Sequence, residues 1–122
     1  MFVPDPGVFD REALARLREL DPRGENRLLE RLFHAFQASL DKLIPQMVDA
    51  QATGDLATIR LSAHTLKSSS ASVGALRLSA ACAELESAIR AGLPGPFDRQ
   101  VETVRDEAAR VQDSLKELLR TD

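Results

Sequence analysis

The sequence predicts an all-α fold: an antiparallel up-down-up-down four-helix bundle with a short extra helix at the N-terminus. Three observations lead there. Apolar residues recur at steps of three and four over four long stretches, the period of a helix. The breaks between these stretches are short and built from Gly, Pro and Asp. No stretch shows the sustained period-two alternation of a strand. Short connections make successive long helices antiparallel neighbours. The 122 residues suffice for one domain. With 43% hydrophobic and 29% charged residues, the chain can both fill a core and coat it.

Residues 1–9, with Pro4, Pro6 and Gly7, read as an irregular lead-in, and 10–122 as a single helical domain. Asp10 is the predicted N-cap of the short first helix, which carries Leu14, Leu17 and Leu20 along one side. Asp21-Pro22-Arg23-Gly24 ends it. The second helix spans about Glu25 to Thr53, with Leu28, Leu29, Leu32, Phe33, Phe36, Leu40, Leu43, Ile44, Met47 and Val48 at helical spacing. Pro45 lacks an N–H and clashes one turn back, so a kink or a split is expected there. Gly54 stops the helix and Asp55 caps the next, whose apolar face is Leu56, Ile59, Ala63, Leu66, Ser70 and Val73. Gly74 is the expected terminator. A fourth helix from about Ala75 to Ala91 carries Leu78, Cys82, Leu85 and Ile89. After the break Gly92-Leu93-Pro94-Gly95-Pro96, the last helix alternates steps of four and three through Phe97, Val101, Val104, Ala108, Val111, Leu115 and Leu118.

Composition excludes several functions. The net charge of −3 argues against a generic nucleic-acid binder. One Cys makes no internal disulfide, and two His with one Cys leave little for a structural zinc site, so no metal is expected. Aromatics are 4%, with no Trp or Tyr, so stacking on bases or sugars lacks material. No apolar run approaches the ~18 residues of a membrane span, and the N-terminus does not read as a signal peptide. The expected compartment is the cytoplasm. No Gly-rich phosphate loop is present, so ATP-dependent kinase activity is not expected.

The third helix carries the chemistry. At about 100° per residue, His64 falls about 135° from the centre of the apolar face and points to solvent or the rim. Arg60 lies one turn before it, and Lys67 and Ser68 lie one turn after, on the same side; Leu61 and Ala71 border the patch. A neutral imidazole can attack phosphorus, and its ordinary pKa leaves much of it neutral near pH 7. Lys67 at i+3 can reach a phosphoryl group on His64, and small residues at 68 and 71 let another protein approach. Spacing alone favours the plainer reading, a surface His beside a surface Lys.

The run Ala63-His64-Thr65-Leu66-Lys67-Ser68-Ser69-Ser70-Ala71-Ser72-Val73-Gly74-Ala75 resembles the signature of histidine-containing phosphotransfer (HPt) domains, His-x-Leu-Lys-Gly-Ser-(Ser/Ala) with Gly ten positions after the His. His64, Leu66, Lys67, Ser69, Ser70 and Gly74 match in place. Cys82-Ala83-Glu84-Leu85-Glu86 is similar to the family's Cys-x-x-Leu-Glu stretch, and the likeness covers about residues 10 to 120. Ser68 stands where the family often has Gly; Ser is the next larger polar choice and reads as tolerated, with room to narrow the set of partners.

The resemblance implies a phosphorelay carrier, not a classical enzyme. His64 would accept a phosphoryl group from a receiver-domain aspartate and pass it to another, with Lys67 as the phosphate-stabilising cation. Arg60, Leu61, Ser68 and Ala71 would dock the receiver, and Gly74 would be structural. The chain would hold no cofactor of its own, the partner receiver supplying Mg²⁺. Its partners would be receiver domains or a hybrid histidine kinase, with the chain itself a monomer. In some relatives a Gln on the next helix orients the His. The matching position is Glu86, which either holds an imidazole N–H or is simply a solvated helix residue.

Other readings are weaker. His34 lies opposite its helix's apolar face and reads as an ordinary surface His; Cys82 sits in an apolar stripe and reads as core. Ser68-Ser69-Ser70 beside His64 suggest acyl transfer only superficially. All sit on one helix, no Gly-x-Ser-x-Gly elbow is present, and no carboxylate is expected to orient the His in a triad. Two alternatives to the relay remain: a non-phosphorylated interaction domain of the same fold, and the phosphoacceptor domain of a chemotaxis-type kinase, which shares His-x-x-Lys.

Overall fold

The computed structural model describes residues 8–25 and 27–120. Residues 1–7 of the expected lead-in, Asn26, the last two residues and the predicted inward side chain of Leu118 lie outside the described residues. Five helices follow in order: α1 (Arg11–Glu19), α2 (Leu28–Thr53), α3 (Leu56–Ser72), α4 (Leu76–Arg90) and α5 (Asp98–Arg120). Among the described residues there is no strand. Helix α2 packs on α3, α3 on α4, α4 on α5 and α5 back on α2, so the four long helices close a ring around one core.

Local chemistry sets the helix ends. Asp10 caps α1, its Oδ2 accepting from the Ala13 N–H at 2.9 Å. The N-cap of α2 is Arg27, in the left-handed region at φ 51° with no side-chain cap bond of its own. Asp21 substitutes: its Oδ2 accepts from the Leu28 N–H at 3.1 Å. The residue read as ending α1 thus also starts α2. Asp55 caps α3 through Thr58, accepting from its N–H at 3.1 Å and its hydroxyl at 2.6 Å. The two bonds hold the Asp55 carboxyl below its ordinary pKa, the hydroxyl bond contributing most.

Two features favour glycine at position 74. Its φ of +83° is the left-handed conformation that turns the chain from α3 into α4. A Cβ there would come within 2.9 Å of the Ala13 Cβ. The Gly74 carbonyl also accepts from the Asp10 N–H at 2.7 Å. The start of α1 is therefore fastened to the α3–α4 turn. Val8 and Phe9, at the end of the lead-in, are buried beside it, and Phe9 meets Phe33 edge-on at a centroid distance of 5.3 Å.

The core follows the predicted stripes, with Phe33, Leu40, Met47, Ile59, Leu66, Leu78, Cys82, Leu85, Val101, Val104 and Leu115 all buried. Three expectations need correction. Pro45 does not split α2, which runs unbroken from Leu28 to Thr53. Pro45 and Asp41, whose carbonyl loses its helical partner, are both exposed, so water can serve that carbonyl. The fully buried Leu40 and Met47 hold the helix on the core on either side of it. Leu20 and Leu56 are not core residues: they are 70% and 44% exposed. Each sits at the end of its helix, beyond the packed stretch.

Candidate functional site

Helix α3 divides into two faces. Ile59, Ala63, Leu66 and Ser70 are buried, whereas Arg60, Leu61, His64, Ser68 and Ala71 are exposed. The His64 side chain is 54% accessible, as its angle on the helix predicts. Leu61 is the large exposed apolar residue on the face around it. His34 is likewise exposed, as expected.

Glu86 is the residue the sequence placed least well. It is not a solvated helix residue: its side chain is 4% accessible, in the seam between α3 and α4. Both carboxylate oxygens are occupied. Oε2 lies 2.6 Å from His64 Nδ1, and Oε1 accepts from Lys67 Nζ at 2.5 Å. A carboxylate therefore stands on the imidazole, as the first of the two readings of Glu86 has it; the expectation of no orienting carboxylate concerned a serine triad. The hydrogen bond from Lys67, with a smaller contribution from His64, holds the Glu86 carboxyl below its ordinary pKa despite its burial. The ionised carboxylate can accept but not donate, so Nδ1 is the protonated nitrogen of a neutral His64 and Nε2 keeps its lone pair.

Lys67 is folded inward rather than displayed, its side chain 34% accessible. It retains donors beyond the one given to Glu86. Its backbone carbonyl accepts from the Ser79 hydroxyl of α4 at 2.9 Å, which fixes the two helices at this level. His64, Lys67 and Glu86 together form a closed set: one imidazole ring, one cation and one anion, with the anion the only buried member.

The neighbouring serines do not assemble a second catalytic group. Ser69 and Ser72 direct their hydroxyls to carbonyls one turn back, and Ser70 is buried. Acyl transfer therefore gains nothing from the carboxylate on His64. Cys82, one turn before Glu86, is buried; desolvation, and then the Glu86 charge, push its thiol up to about 12. It is a core residue and not a nucleophile. Among the described residues no group of three or more His, Cys, Asp or Glu converges as a metal site. None of the described helices is long and apolar enough to cross a membrane.

The Hpt domain family model matches residues 31–118, most of the chain and the whole of the site. The chain belongs to the Hpt domain family. Members work with receiver domains and histidine kinases, and histidine phosphotransfer in a phosphorelay is the role of this chain. The fold is shared with histidine-containing phosphotransfer protein B (HptB) from Pseudomonas aeruginosa PAO1, at TM-score 0.83 and 24% identity over 97% of this chain and 99% of that one. A rice protein assigned as a histidine-containing phosphotransfer protein is similar at TM-score 0.78 and 20% identity, over 93% of this chain and 82% of the other. No curated protein matches the chain. At such identities the likeness to solved structures concerns the fold. The assignment of individual residues rests on the geometry around His64.

Proposed function

We propose that His64 is the phosphoacceptor, that Glu86 sets its tautomer and orientation, and that Lys67 stabilises the transferred phosphoryl group. The observation that carries this reading is the Nδ1–Glu86 contact of 2.6 Å on an otherwise exposed ring. It commits the inner nitrogen to the protein and leaves Nε2 to a partner. The Nε2 lone pair forms a bond to phosphorus as the bond from phosphorus to the aspartyl oxygen breaks. The electron pair leaves with the receiver's carboxylate. Lys67 stands one helical turn from His64 with donors to spare, so it can approach the new phosphoryl oxygens without leaving its helix.

The receiver supplies the Mg²⁺ and most of the charge stabilisation at phosphorus. This chain supplies a nucleophile fixed on a rigid bundle. Arg60, Leu61, Ser68 and Ala71 form the docking face, with Leu61 as its apolar contact and Ser68 and Ala71 letting the receiver's active site close on His64. The domain acts as a monomer in the cytoplasm, between a kinase's receiver and a downstream one.

Incubation with a phosphorylated receiver tests this reading. Label moves to His64 in a form that is acid-labile and, once the chain is denatured, alkali-stable, and His64→Gln takes up none. Binding of the receiver without label transfer would instead make the domain a pure interaction module. Lys67→Ala lowers transfer or phosphohistidine lifetime while the fold persists; unchanged kinetics would remove Lys67 from the chemistry.

A further inference from the structure

The closed set of His64, Lys67 and Glu86 has a consequence for the phosphorylated state. Attack through Nε2 leaves the Nδ1 proton in place, so the product ring is first formed as a phosphoimidazolium. In water such a ring loses that proton as the pH rises and becomes a poor leaving group. Here the proton faces Glu86 Oε2, at 2.6 Å from Nδ1, on a side chain only 4% accessible. A buried carboxylate beside a newly positive ring is an opposite charge in a weakly screened place, which favours the charged form of the ring.

We propose that Glu86 keeps the Nδ1 proton on the phosphorylated ring, so that the phosphohistidine is held as a donor and not as a store; this rests on His64 being the phosphoacceptor. In the onward step an aspartyl oxygen of the next receiver attacks phosphorus. The N–P bond breaks, and its pair returns to Nε2. The ring leaves as the same neutral Nδ1–H tautomer that began the cycle. No proton enters or leaves the site in either half of the relay. Lys67 keeps Glu86 ionised from one side while the ring charge does so from the other. The groups coupled to the carboxylate are Lys67 and His64 from α3, and Cys82 on its own helix, whose thiol is pushed too high to exchange a proton with it. Among the described residues α2 and α5 bring no ionisable group to it. The phosphohistidine is therefore short-lived at neutral and mildly alkaline pH, and the reaction that consumes it must be rapid capture by a second carboxylate.

Phosphoramidate, a small phosphoryl donor, allows a test without any partner. The loss of phosphoryl from His64 is followed by phosphorus NMR between pH 6 and 10 for the wild-type chain and for Glu86→Gln, which accepts from Nδ1–H without a charge. The wild type keeps its fast loss to a pH higher by about one unit, so that above neutrality it loses the group about tenfold faster than the variant. Unfolding the phosphorylated wild type in urea removes the Glu86 contact and slows the loss likewise, which covers the case of a variant that does not fold. Coincident pH profiles for the folded wild type and both comparisons overturn the inference while leaving His64 as the acceptor. Equal labelling of His64→Gln overturns the acceptor assignment itself, and the inference with it.

Discussion

The α3–α4 seam and the α2–α5 seam are built to different rules. Between α3 and α4 lie small residues, a buried carboxylate and polar contacts drawn inward, with Glu86 accepting from Lys67 and facing His64, and Ser79 bonded to the Lys67 carbonyl. Between α2 and α5 the polar contacts stay on the rim: Gln112 donates to Asp41 at 3.3 Å, Gln51 donates to Asp98, and both pairs are exposed. The inside of that seam is apolar, with Leu40, Met47, Val101 and Val104. A rim pair can exchange its partner for water at little cost, whereas a buried carboxylate cannot. The position of His64 is thus tied to polar contacts drawn into the α3–α4 seam.

Substitutions can break the contrast, beginning where the effect is largest. Leu66→Ala, directly beneath the site on the core face of α3, should lower unfolding free energy by about 2–5 kcal/mol in a denaturant titration. Lys67→Ala is next. It strands the buried Glu86 carboxylate with only the imidazole for a partner, and about 2–3 kcal/mol is expected from the loss of one side of a buried charge pair. Glu86→Ala should cost less, about 1 kcal/mol, because the groups it leaves behind, Lys67 and His64, are exposed enough to find water. The reverse order of these two variants would mean that Glu86 is not the buried member of the set. At the rim, Gln112→Ala should shift stability by no more than about 0.5 kcal/mol by the same titration.

Acid sharpens the same comparison. The Glu86 carboxyl is held below its ordinary value of 4.5 in the folded chain, so its contribution is fully present above that pH. It is lost as pH falls through the lowered folded value, where the carboxyl takes up a proton and gives up its hold on Lys67. Thermal melts below pH 4.5 should therefore fall more steeply for the wild type than for Glu86→Gln. Parallel curves would remove Glu86 from the acid response.

Much of this was legible in the sequence because helices advertise their faces and ends. The stops at Gly54, Gly74 and Gly92 and the caps at Asp10 and Asp55 lie where turn chemistry puts them, and His64 points outward as its angle requires. Asp21 as the cap of α2 was not legible, since it acts seven residues from its target through a turn that only the fold creates. Glu86 was half legible. It follows Leu85 by one residue and Cys82 by one turn, so it borders the apolar stripe of α4 rather than opposing it. Periodicity marks a border residue as neither in nor out. What buries it is the neighbouring helix, which brings His64 and Lys67 to its two oxygens. Pro45 does not split α2 for a related reason: tertiary packing on both sides outweighed one missing hydrogen bond.

The central claim is that Glu86 holds the proton on Nδ1 and leaves Nε2 as the nucleophile. Long-range nitrogen–proton NMR on the unphosphorylated chain at pH 7.5 reads the ring tautomer directly. The account predicts that His64 is in the Nδ1–H form, and that the preference collapses in Glu86→Ala. A His64 ring in the Nε2–H form, or one whose tautomer is unchanged by Glu86→Ala, would contradict it.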